Sequence, residues 1–388
     1  MPRSTTYTPS RRRALAALAA GGVVAALPAW ATAGRSSSSD IDAVIDSALA
    51  EQRLVGAVVL VRHKGRVIHQ RAAGWADREA RTPMRADALF RLASVSKPVV
   101  TAAAMALVAR GTLELDAPVT RWLPGFRPAL ADGSRPDITL RQLLTHTSGL
   151  GYGFTETGDD RPYAQLGVSD GLDRAGISLQ ENMQRLARAP LLAAPGTRWA
   201  YSLGIDVAGA IIERAWDGTL PDAVQTLVGA PLGWRDTAFL ARDAARLTAV
   251  YVNGEGVAPS RMETARHVPL VPGNPGVAFD PARATDPAAF PSGGAGMVGR
   301  ADEILALLEA LRERGGGVVP AAIAAEMARD QVAPLDSGQG TGFGLGFSVL
   351  RDQIAAGSPE SPGTWRWGGV YGHSWFVDPA RALTVVAL

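Results

Sequence analysis

A chain of 388 residues, 47% apolar and 20% charged, is long enough to bury a sizeable core, which excludes disorder as the main state. Its net charge of +2 comes without a basic stripe, so no nucleic-acid partner is expected. It has no cysteine, which excludes disulfides, thiol chemistry and thiolate metal sites.

From the N-terminus, Arg11, Arg12 and Arg13 precede an apolar stretch from Ala14 to Ala26, and Ala31-Thr32-Ala33 offers a small-residue cleavage site. This order predicts a twin-arginine type of signal peptide over residues 1–33. The protein is then periplasmic or secreted, with no stable membrane anchor after cleavage. Removing the leader takes away four arginines and no acid, leaving a slightly acidic chain.

After a polar linker at Arg35 to Ser39, the spacing of Ile41, Val44, Ile45, Ala48 and Leu49 predicts a helix. Gly56 to Val61 and Arg66 to Ala73 read as two strands joined by a tight turn at His63 to Arg66. A long helix is expected to open at Ser94 and run to Ala109, with Pro98 in its first turn and Gly111 ending it. A short helix is predicted over Asp137 to Leu144 and a long loop over Gly149 to Gly176. Helical patterns return at Leu179 to Ala187, Ile205 to Ala215 and Pro221 to Val228, and Val250 to Phe290 reads as Pro-rich and irregular. Ala301 to Arg312 is an amphipathic helix stopped by Gly315-Gly316-Gly317. Strand-like runs follow at Phe343 to Leu350, Thr364 to Trp367, Ser374 to Val377 and Leu383 to Val386. Strands therefore cluster at both ends and helices between them. The expected fold is α+β, one domain over 34–388. An antiparallel sheet from 34–93 and 291–388 is flanked by helices, and 94–290 forms a mainly helical part with the site in the groove between them.

The chemistry centres on Ser94-Val95-Ser96-Lys97. Side chains three apart on a helix are neighbours, so a hydroxyl and an amine can meet there. The chain has two lysines, Lys64 and Lys97, among 39 basic residues. Lysine can release its proton when buried near positive potential, and arginine cannot. Ser94 is read as a nucleophile at a helix start, activated by Lys97. Tyr201, in Tyr201-Ser202-Leu203, adds a phenol able to relay a proton, and which of Lys97 and Tyr201 is the base stays open. In Trp367-Gly368-Gly369-Val370, Gly368 and Gly369 permit close backbone approach by a ligand, and the Val370 N–H is expected to pair with the Ser94 N–H as an oxyanion hole. A wall of Tyr152, Trp367 and Trp375, with His373 lining the pocket, is expected to favour small apolar groups. No cofactor is implied, and the histidines lack metal-ligand spacing.

Phe90 to Pro98, Leu143 to Leu150, Pro231 to Trp234 and Ser292 to Gly296 together resemble the class C β-lactamase and penicillin-binding-protein superfamily. The resemblance implies that superfamily's fold, an acyl-enzyme on Ser94, and a further helix after the last strand. Two departures place it within the family. Leu203 stands where a Tyr-x-Asn motif has its amide, and Trp367 stands where a cation precedes Thr-Gly or Ser-Gly. Both weaken a β-lactam or D-alanyl peptide reading. Tyr-Ser-Leu with Trp-Gly-Gly is similar to the family VIII carboxylesterases, which implies short-chain esters as substrates and Trp367 as a pocket residue. Two rivals remain. One is a nucleophile elbow at Ala200 to Gly204 with Asp206 and His373, although Pro195-Gly196 leaves little room for its strand. The other is a non-catalytic ligand sensor on the same fold.

Overall fold

The two ends of the described chain meet in one sheet. The computed structural model describes residues 38–254, 256–270 and 275–388, so the expected leader over 1–33 lies outside the described residues. Helix α1 (Ser38–Ala50) leads into β1 (Gly56–His63) and β2 (Arg66–Asp77). Lys64 and Gly65 turn between them with φ of 49° and 77°, the two-residue turn that matches strand twist. Far along the sequence, β10 (Thr341–Phe343), β11 (Ser348–Leu350), β12 (Trp365–Gly369), β13 (His373–Asp378) and β14 (Leu383–Ala387) complete the sheet. Its order is β10-β11-β12-β13-β14-β1-β2-β3, antiparallel throughout, with β3 at Thr82–Pro83. The join is β1 with β14, where Leu60 faces Val386 and Val61 faces Val385. Helix α8 (Ala301–Arg312) packs on β1 and β14, and its buried Glu309 accepts a hydrogen bond from Thr384.

The helical part is organised around α2 (Ser96–Ala109). It is buried continuously from Ser96 to Leu107, the polar Ser96, Lys97 and Thr101 included. Small residues at Ala102, Ala103, Ala104 and Ala106 let neighbours approach closely. α6 (Gly204–Trp216) and α7 (Leu220–Val224) pack on it. Thr139 starts α3 (Leu140–Leu144) through a capping box with Gln142, which satisfies two otherwise orphaned N–H groups. Two short elements, α4 (Pro162–Gln165) and a 3-10 turn at Gly153–Thr155, interrupt the expected loop, and α5 (Leu179–Leu186) and α9 (Ala321–Ala328) complete the helices named here. Among the described residues, no helix is long and apolar enough to cross a membrane.

Three expectations are corrected. Residues 250–290 hold two hairpins, β5 (Val250–Gly254) with β6 (Val257–Met262) and β7 (Arg266–Val268) with β8 (Val277–Phe279). Their pairing is between neighbouring segments, and Pro259, inside β6, falls at the register shift opposite Val252 to Gly254. Phe343 to Leu350 is two strands, because Gly346 at φ 87° reverses the chain between β10 and β11. The helix begins at Ser96, and Ser94 lies in the preceding 3-10 turn (Ala93–Val95). The one-turn spacing of Ser94 and Lys97 survives because the 3-10 turn leads directly into the helix.

Candidate active site

The segment before the helix is tied down first. β4 (Phe90–Arg91) pairs with β9 (Val298–Gly299), and the Leu92 N–H donates to the Met297 carbonyl at 2.9 Å. Ala93 then adopts φ 45°, a left-handed conformation that alanine rarely takes. Such strain is held only where the surroundings over-determine it, here immediately before the half-buried Ser94.

Ser94 Oγ lies 2.6 Å from Tyr201 Oη and 3.2 Å from Lys97 Nζ. Lys97 is fully buried. Its Nζ also donates to the Gly294 carbonyl at 2.9 Å and sits over the Tyr201 and Tyr152 rings, 4.6 and 5.4 Å from their centroids. The Gly294 carbonyl reaches that point because the 292–296 segment presses onto the start of α6. A Cβ on Gly293 would lie 2.6 Å from the Ile205 carbonyl oxygen, and one on Gly294 would collide with Asp206 Oδ2. The Met297 N–H donates to Ser96 Oγ at 3.2 Å, fastening the same segment to α2.

Asp206 stands behind this loop, fully buried, with Oδ1 accepting from Ser292 Oγ at 2.5 Å. Burial raises its pKa above the usual carboxylate range, opposed by the Ser292 hydrogen bond and the Lys97 charge. Tyr201 follows a buried histidine contact. The His146 ring meets the Tyr201 ring edge-on at 4.8 Å, and Trp367 lies 5.4 Å from it on another side. Burial and then the Lys97 charge hold His146 well below the usual imidazole range, so it is neutral.

The sequence-predicted residues divide. Ser94, Lys97 and Tyr201 converge within hydrogen-bond reach. Trp367 is half-buried beside Tyr201, and Val370 is 37% exposed at the end of β12, which packs against the Ser94 turn. Gly368 and Gly369 make room for the protein itself. A Cβ on Gly369 would lie 2.7 Å from the Leu92 carbonyl oxygen, and one on Gly368 2.5 Å from that of His373. The bareness of Gly369 lets β12 approach the Ser94 turn and that of Gly368 lets it close on β13, so the space expected for a ligand is taken by the protein's own backbone. Trp375 does not line a pocket: it is 1% exposed and packs edge-on against Phe347. Tyr152 is likewise buried, stacked on Phe154, and lies beneath the site. His373 is buried with its Nε2 hydrogen-bonded to the Arg91 carbonyl at 2.9 Å, and burial pushes its pKa down to about 4. It braces the strand leading to Ser94. For Trp375 and His373 on β13, sequence alone does not tell which face of the strand meets the site, and Tyr152 lies in the long loop, whose path the sequence leaves open.

The nucleophile-elbow rival does not assemble. Ser202 Oγ lies 3.1 Å from His146 Nδ1, Asp206 is bonded to Ser292, and His373 to the Arg91 carbonyl. Sequence reasoning missed the Gly294 carbonyl and the place of Asp206 beside it. Its one available signal was an acid within the apolar run Gly204 to Ala210.

Comparison with known proteins agrees with this architecture. The family described as Beta-lactamase matches residues 41–388. Esterase EstB of Burkholderia gladioli is 52% identical over 351 residues, 90% of this chain and 89% of that protein. The solved structure of EstCE1, a hydrolase with promiscuous acyltransferase activity, superposes with a TM-score of 0.85 at 44% identity, covering 90% of this chain and 92% of the other. Unliganded simvastatin synthase (LovD) from Aspergillus terreus, as its selenomethionyl derivative, shares the fold with a TM-score of 0.73 at 24% identity, covering 90% and 92%. An antiparallel sheet built from both chain ends, a buried lysine one turn after a serine, and these matches together make the chain a member of the β-lactamase family.

Proposed function

We propose that this chain is an exported serine carboxylesterase that cleaves small esters through an acyl-enzyme on Ser94. One observation carries the reading: the Ser94 hydroxyl is held between a phenol at 2.6 Å and a buried amine at 3.2 Å. A hydroxyl with two proton-transfer partners is an activated nucleophile. The 52% identity to an esterase over nine-tenths of both chains supports the substrate class. Export rests on the leader-like order of residues 1–33, and the N-terminus of the exported enzyme, expected at Gly34, checks it.

In the proposed cycle, Lys97 in its neutral form, with Gly294 accepting one of its hydrogens, takes the Ser94 proton directly or through Tyr201. Ser94 Oγ attacks the ester carbonyl, and the Ser94 and Val370 N–H groups receive the negative oxygen. The alcohol leaves with a proton from Tyr201 or Lys97. Water then attacks the acyl-Ser94 carbonyl, gives up a proton to the same pair, and releases the acid and the free serine. Trp367 borders the acyl or alcohol group.

A β-lactam or D-alanyl peptide reading is the second possibility on the same site. Leu203, fully buried, offers no amide to a substrate, and Trp367 offers no cation to a substrate carboxylate. These observations favour the ester. The test is hydrolysis of p-nitrophenyl butyrate and a chromogenic cephalosporin by the wild type and Ser94→Ala. Fast ester turnover, slow cephalosporin turnover and a loss of about 10⁴-fold or more in the variant are expected. Retained activity in Ser94→Ala sinks the mechanism, and a reversed substrate ranking sinks the ester assignment. Ligand binding without turnover by the wild type favours the sensor.

A further inference from the structure

We propose that His146 is a positioning residue for Tyr201, holding the backbone N–H groups of the residues on both sides of that tyrosine. The inference rests on the role proposed above for Tyr201. The Ala200 N–H donates to the His146 carbonyl at 2.9 Å, and the Ser202 N–H donates to His146 Nδ1 at 3.3 Å. One residue therefore receives the amides immediately before and after Tyr201. The imidazole also packs on the Tyr201 ring itself, at 4.8 Å and 67°. Backbone and ring of the phenol are thus constrained from a single point.

His146 achieves this through an uncommon conformation. Its φ of 59° lies in the left-handed region, where its carbonyl and its ring both address residues 200–202. A non-glycine residue there is strained, and such strain persists only where the surroundings impose it. The ring is completely buried, enclosed by Trp199 at 6.1 Å, Phe343 at 5.1 Å and Tyr201. A neutral ring can accept the Ser202 N–H at Nδ1, which also lies 3.1 Å from Ser202 Oγ, while Nε2 has no hydrogen-bond partner among the described residues. Burial and the nearby Lys97 charge hold the ring in that neutral form. An imidazolium would lose the acceptor and release the amide after Tyr201.

The consequence for chemistry follows from the short Tyr201–Ser94 contact of 2.6 Å. Proton transfer depends steeply on such a distance, and a misplacement of about 1 Å costs on the order of 10²-fold in rate. The hydrogen bonds of the His146 carbonyl and ring, and its ring contacts, go to residues 199–202 and Phe343, so its contact with the proposed proton-transfer groups is through Tyr201.

The experiment compares His146→Ala, His146→Asn, Tyr201→Phe and the remote core truncation Leu308→Ala, using p-nitrophenyl butyrate kinetics and thermal unfolding. His146→Ala is expected to lower kcat about 10²-fold with KM little changed. Asparagine keeps an acceptor and tolerates left-handed backbone, so His146→Asn recovers most of kcat. Leu308→Ala lowers Tm while leaving kcat of the folded enzyme intact, which separates positioning from general destabilisation. If alanine prevents folding, His146→Gly keeps the backbone freedom, removes the ring and is read by the same criteria. A folded His146→Ala or His146→Gly enzyme with wild-type kcat, beside an impaired Tyr201→Phe, overturns the positioning role and spares the reading of Tyr201. Wild-type kcat in Tyr201→Phe overturns that reading and this inference together.

Discussion

Ser94 sits between two walls built on opposite plans. On the Lys97 side, everything is buried and fastened: Gly294 against Asp206, Ser292 to Asp206, Ser96 to the 297 amide, and Lys97 to the 294 carbonyl. On the β12 side, Trp367 is half-buried and Val370 exposed, and the strand is held by its ladders to β11 and β13, with His373 of β13 bonded to the Arg91 carbonyl behind it. In the proposed cycle the first wall fixes a proton's path, which tolerates little error. The second faces whatever binds, and its tip has few contacts of its own. Machinery common to a reaction can be buried, whereas surface that meets a substrate must stay accessible.

The comparison breaks most readily on the buried wall. Gly294→Ala places a methyl on Asp206 Oδ2 and within 3.1 Å of the Tyr152 hydroxyl. The loop must retreat and take the Lys97 acceptor with it. Esterase kcat is expected to fall about 10²-fold, with a stability loss of about 1–3 kcal/mol. Wild-type kcat and Tm in this variant would show that the tight seating is incidental.

On the open wall, Trp367→Ala tests selectivity instead of rate. The ratio of kcat/KM for butyrate and octanoate esters is expected to shift about tenfold, the order that one or two methylenes contribute in an apolar pocket, while Tm changes little. An unchanged chain-length profile removes Trp367 from the pocket.

The smallest effect concerns the brace behind that wall. Folded His373 stays neutral down to about pH 4, against 6.5 for an ordinary histidine. The unfolded chain therefore takes up the proton first. The contribution of His373 is fully present above pH 6.5 and is lost as pH falls towards 4, by at most about 3 kcal/mol. Urea midpoints measured from pH 7 to 4 should decline less steeply in His373→Gln than in the wild type. Parallel slopes would show that His373 is not buried as described.

Much of this was legible in order along the chain. The hairpin at Lys64-Gly65, the amphipathic helix Ala301–Arg312 and the terminal strands follow from local periodicity and turn chemistry. Ser94 and Lys97 were legible because their meeting is a one-turn relationship. Tyr201 was legible through its motif and the resemblance that motif carries, since nothing local links it to a serine 107 positions away. The hairpins of 250–279 were hidden by their prolines, the roles of Trp375 and His373 by the ambiguity of strand faces, and that of Tyr152 by its place in a long loop.

What the sequence alone determined is the candidate pair Ser94 and Lys97 and the turn that sets the hydroxyl of one beside the amine of the other. Both depend on residues a few positions apart, whose geometry the helix dictates. Tertiary structure decided the rest: that the Gly294 carbonyl receives Lys97, that His146 grips both sides of Tyr201, and that β12 closes on Leu92. These contacts join distant segments through backbone groups and bare glycines. Such atoms are common to every residue and leave no periodic mark, so only the packed chain reveals where they meet.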